Sequence, residues 1–149
     1  MLLSVVTDDE LLTSQIVKII FIFILSGGII FNLIRFFKTE NKKIKIINAI
    51  AFLVLSIVLC FVFNAYRIEG NLLNHPKFVP GITIGFCTKP ALGEGIEFEY
   101  EVNEKKYSIC NTFHPVSKDS IIVPGGKYMV RYSEKFPDAG RMNFKMKVE

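Results

Sequence analysis

The stretch Ile44–Tyr66, IKIINAIAFLVLSIVLCFVFNAY, carries no charge between Lys45 and Arg67 and shows no 3.6-residue alternation of apolar and polar positions. A helix lying on a protein surface needs that alternation. Roughly 20 apolar residues instead suffice to take a helix across a hydrocarbon core about 30 Å thick. Upstream, Ile16–Phe37 (IVKIIFIFILSGGIIFNLIRFF) has the same character. The alternative is a helix pair buried in a soluble protein, but the rest of a 149-residue chain is too short to enclose two such helices. The reading is a two-helix transmembrane hairpin over residues 16–66, with helices at 16–37 and 44–66.

Asp8-Asp9-Glu10 precedes the first helix, where a cleaved signal peptide would be basic, and the apolar run is too long for one. Thr7 to Glu10 matches a capping box, which predicts a helix start near Asp8 and an interfacial segment over residues 1–15. The connection between the helices holds Lys38, Lys42 and Lys43, flanked by Arg35 and Lys45, against the single acid Glu40. Short loops rich in Lys and Arg stay in the cytoplasm. Both termini then lie on the other side. Lys18 and Arg35 sit near the ends of the first run, where long side chains snorkel to the headgroups. Ser26, Gly27 and Gly28, with Ala49, Ala51 and Ser56 opposite, predict a close helix contact. Asn32 and Asn48 stand at similar depth and are candidates for a hydrogen bond across the hairpin.

After a linker over residues 67–80, the pattern changes to short alternating segments divided by turn residues, the signature of an antiparallel sheet with one wet face. Strands are predicted at 82–87, 96–102, 105–110, 120–123, 127–133 and 142–148, with loops at 90–95, 111–118 and 134–140. Asn103-Glu104 is a tight turn. If it pairs Val102 with Lys105, then Tyr100 faces Tyr107, Phe98 faces Ile109 and Glu101 faces Lys106. Ile96, Phe98, Tyr100 and Val102 point inward and Glu97, Glu99 and Glu101 outward. Tyr128, Val130 and Tyr132, and then Met142, Phe144, Met146 and Val148, continue the inward set, with Asn143, Lys145 and Lys147 outward. The fold class is a membrane α+β protein: the helix hairpin followed by a barrel- or sandwich-like β-domain of about five to six strands over residues 81–149.

Motifs that carry chemistry are thin. Alternate glutamates stand about 6.6 Å apart, but a glycosidase needs a cleft and one protonated carboxyl, not a flat solvated row. His75 and His114 each precede a proline and lack ligand spacing, so no metal or cofactor is expected. Gly93-Glu-Gly95 joins two strands and opens no helix, so it is no phosphate loop. Basic residues are interleaved with acids, leaving no nucleic-acid patch. Cys60 lies within the second helix. Cys87 and Cys110 are candidate disulfide partners. A flat meander would hold their strands about 9.6 Å apart, beyond the roughly 7 Å that a bridge allows, so pairing requires barrel closure or a bulge.

Three segments together, IEFEYEVNEKKY (96–107), GKYMVRYS (126–133) and FPDAGRM (136–142), resemble a group of small bacterial membrane proteins carrying a tyrosine-rich β-domain of unknown function. The group's hairpin usually has glycine where this chain has Glu104, and many members bracket the domain with helices, whereas both helices here precede it. The resemblance implies a β-domain held at a bacterial inner membrane, and it carries over no catalytic residues and no activity. The expectation is a non-enzymatic anchor that presents its extracytoplasmic β-domain to a protein partner, foremost as a subunit of a membrane assembly. The alternatives are an immunity protein that neutralises a toxin at the membrane, or an accessory to a membrane enzyme or transporter.

Overall fold

A computed structural model describes residues 5–90, 92–112, 114 and 116–148. Two helices come first, α1 (Val5–Lys38) and α2 (Lys42–Asn74). Five strands follow: β1 (Lys77–Lys89), β2 (Gly93–Val102), β3 (Lys105–Asn111), β4 (Lys127–Ser133) and β5 (Phe136–Lys147), with a 3-10 turn at Lys118–Ser120. The chain divides into two compact units: Leu12–Glu69, and the start of α1 through Leu11 together with Gly70 onward.

In the Leu12–Glu69 unit, both helices are long and apolar enough to cross a membrane. Asn41 begins α2, its Oδ1 accepting the amide of Lys43 at 3.0 Å. On each helix, buried or half-buried positions include a series at alternating steps of three and four. The series is Ile22, Leu25, Ile29, Asn32 and Phe36 on α1, and Asn48, Phe52, Leu55, Leu59 and Val62 on α2, with Ser26, Gly28 and Ser56 half-buried beside it. Such spacing keeps one seam of each helix toward the other.

The helices extend past the apolar runs that announce them. Thr7–Glu10 lies inside α1 rather than at its start, and the side chain of Thr7 falls outside the described residues. The expected linker is absent: α2 continues through residues 67–74, and β1 takes up residues 77–80. The stop comes from Pro76, which cannot continue a helix and biases His75 out of the α region.

The β-domain is one curled antiparallel sheet, a half-barrel in the order β3-β2-β1-β4-β5. The β2–β3 register is the expected one, with Val102 opposite Lys105, Glu101 opposite Lys106, Tyr100 opposite Tyr107 and Phe98 opposite Ile109. Asn103 and Glu104 both take left-handed backbone, φ 51° and 63°, as a two-residue hairpin turn of this hand requires. The core gathers Ile96, Phe98, Tyr100, Val102, Ile121, Tyr128, Val130, Met142 and Phe144. Two side chains help curl the sheet: Asn111 donates through Nδ2 to the carbonyl of Met142 at 3.3 Å, and the Tyr100 hydroxyl donates to Pro137 and accepts from the amide of Gly140.

Several predicted boundaries shift. No strand forms over residues 121–123, because the backbone of Ile122 bonds to side chains: its carbonyl accepts from Thr83 at 2.7 Å and its amide donates to Tyr128 at 3.0 Å. The expected loop at 134–140 is mostly strand, since β5 begins at Phe136 and Pro137 is tolerated on an edge strand. Asn143 is buried rather than outward. There the register jumps from Met129–Asn143 to Tyr128–Lys147, and Asn143 Oδ1 accepts the amide of Lys145 at 3.1 Å.

Cys87 and Cys110 are joined by a disulfide with their Cα atoms 5.9 Å apart, although β2 lies between their strands. The flat-sheet spacing does not hold at this end. β1 carries a bulge between Thr83 and Gly85, and a Cβ on Gly95 would come within 2.6 Å of the carbonyl oxygen of Asn111. Glycine there lets β3 close in, so that the bridge passes β2 where it has no side chain.

Candidate functional site

The residues singled out for helix packing separate into two groups. Ser26 and Gly28 are half-buried, and a Cβ on Gly28 would lie 3.2 Å from Leu55 Cδ1, so this glycine does admit the other helix. Gly27 faces open space and Ala49 is exposed. Ser56 is half-buried with its hydroxyl turned back onto the carbonyl of Phe52 at 2.8 Å. The bond between Asn32 and Asn48 does not form. Asn32 Nδ2 donates within its own helix to Gly28 at 2.8 Å, which leaves the buried Asn48 Nδ2 without a partner. Arg35, Lys38, Lys42, Lys43 and Lys45 are all exposed around the helix connection.

The hairpin's strongest polar contact was missed by the sequence reading. Lys18 does not snorkel: its Nζ reaches Glu69 Oε2 on α2 at 2.6 Å and Ser14 Oγ at 2.5 Å, while Ser14 Oγ donates to Glu69 Oε1 at 3.1 Å. The Glu69 side chain is only 9% exposed. A buried charge needs such a partner, and one lysine near the start of an apolar run was the signal for it.

A second polar clasp lies in the β-domain unit. Arg131 stands on β4 between Val130 and Tyr132 and is buried. Its Nε donates to the carbonyl of Leu72 at 2.7 Å, its Nη2 to that of Leu73 at 3.3 Å, and its Nη1 binds Asp8. The last turn of α2 holds no basic residue of its own. Arg131 supplies the cation that the free carbonyls and partial negative charge of a helix C-terminus favour.

The glutamate row occupies the outer face of β2. Glu97 accepts from Ser108 Oγ at 2.8 Å, and Glu101 is exposed opposite Lys106. Among the described residues no three His, Cys, Asp or Glu side chains converge as a metal site. Lys77 pairs with Glu134 on the surface, and that hydrogen-bonded carboxylate raises the ammonium's pKa above its ordinary value. Ser133, His75 and Asn71 border the same small cleft.

What the β-domain does offer is exposed apolar surface. Phe78, Ile82, Ile84 and Phe86 on β1 are each at least 39% exposed, as are Leu92 and Ile122 in the adjoining loops. β1 is the central strand, yet only part of it is covered. Isolated exposed apolar side chains are ordinary, but a series along one strand marks a surface fit for a partner. The chain matches no family model, no curated protein and no solved structure.

Proposed function

We propose that this chain is a non-enzymatic membrane anchor whose β-domain binds another protein, as a subunit of a membrane assembly. The observation that carries this reading is the exposed apolar series along β1, from Phe78 to Phe86. In a small domain that already has a filled core, such surface is best accounted for by a partner. The two membrane-length helices support anchoring. The basic helix connection supports a cytoplasmic loop and an extracytoplasmic β-domain. The Cys87–Cys110 bridge suits an oxidising compartment outside the cytoplasm.

A photo-crosslinking amino acid at Phe86, in cells expressing the full chain, tests the reading. The expected result is one protein adduct of defined mass, also recovered at fixed stoichiometry in mild detergent. Crosslinking at Glu104, on the hairpin tip, gives the background. Equal, diffuse adducts at both positions, or none at Phe86, would overturn the proposal.

A further inference from the structure

The helix connection carries more charge than its fold uses. Among the described residues none of its five cations is in an ion pair with a carboxylate. Two of them line a groove. A cavity of about 300 Å³ is walled by Phe36 from α1 and by Ile46 and Ala49 from α2, with Lys42 and Lys45 completing it and no acid present. Lys45 holds its Nζ 4.9 Å from the centre of the Phe36 ring, so its ammonium stays on the groove wall. Lys42 and Lys45, three residues apart on one helix, project to the same side.

We infer that this groove binds one phospholipid with an anionic headgroup, its phosphate held between Lys42 and Lys45 and the upper part of an acyl chain lying along Phe36, Ile46 and Ala49. This rests on the helices spanning a bilayer, which would place the groove at headgroup level. The chemistry is matched at both ends: two unpaired ammonium groups face the phosphate, and the apolar wall continues where the chain must run. Free phosphate has no use for that wall. Orientation in the membrane would explain basic residues anywhere in the connection. It does not explain why two of them frame an apolar groove.

The test uses the full chain in mild detergent with equimolar phosphatidylglycerol and phosphatidylcholine, and reads retained lipid by native mass spectrometry. The wild type should retain phosphatidylglycerol in preference, on the order of tenfold. K42Q/K45Q should bring the ratio close to one, while K38Q/K43Q, which removes the same charge outside the groove, should leave it. Equal loss in both variants would reveal a diffuse field and overturn the site, as would displacement of the lipid by millimolar inorganic phosphate. Alkaline extraction of membranes bearing each variant reports separately whether the chain is embedded. An extracted chain would sink the membrane reading, whereas an embedded chain without lipid preference would sink only the groove.

Discussion

Tyr100 shows how one side chain serves both core and closure. Its ring lies among Phe98, Tyr107 and Tyr132, and its hydroxyl spans from β2 to β5. Burial pushes its pKa up to about 12, with the hydrogen bond from the Gly140 amide pulling the other way. The folded chain therefore keeps this proton between about pH 10 and 12, where the unfolded chain has released it. Stability contributed by the neutral phenol is complete below pH 10 and falls as the pH rises toward 12. Ultraviolet titration should show a phenolate forming near pH 12, and Tyr100→Phe should remove that step. A Tyr100 that ionises near the ordinary value of about 10 would contradict the buried bridge. Gly140 belongs to the same arrangement, because a Cβ there would meet the Tyr100 hydroxyl at 2.6 Å.

At the scale of elements, Lys18 and Glu69 join α1 to α2 through a side-chain ion pair. Removing one member leaves the other charge buried, at a cost of about 3 kcal/mol, whereas replacing both with apolar residues of similar size is close to neutral. Lys18→Met or Glu69→Met alone should lower the denaturation midpoint of the detergent-solubilised hairpin, and the double substitution should recover most of the loss. Additive losses would mean the two do not act as a pair. The sequence made the helices legible because unbroken apolar runs have few other solutions in water or lipid. It made the β2–β3 hairpin legible because alternation and a two-residue turn together determine register. Arg131 was not legible: strand periodicity assigns it to the outer face, and its burial depends on a helix end more than fifty residues earlier in the chain. The disulfide was likewise open, since it depends on how far the sheet curls at Gly95.

For the whole molecule, orientation in the membrane is the property that decides where a partner is sought. Single cysteines at Lys118 and Lys42, in a background without native cysteines, can be labelled in intact cells with a reagent that does not cross the inner membrane. Labelling at 118 but not at 42 is the expected outcome. The reverse would place the β-domain in the cytoplasm and remove the setting in which its disulfide is favoured. The apolar surface of β1 would then face a cytoplasmic partner instead.

The Cys87–Cys110 bridge also gives the sheet a direction in which to come apart. β1 and β3 are tied across β2, so these three strands must separate last, and the edge on the β3 side is locked. β5 is the other edge, held by its pairing with β4 and by the bonds from Tyr100 and Asn111. Fraying of the oxidised domain therefore starts at its C-terminal strand, and amide hydrogens of Phe136–Lys147 should exchange with solvent before those of Gly93–Val102. Reduction would free the second edge, and with it an unpaired strand open to pairing with another chain.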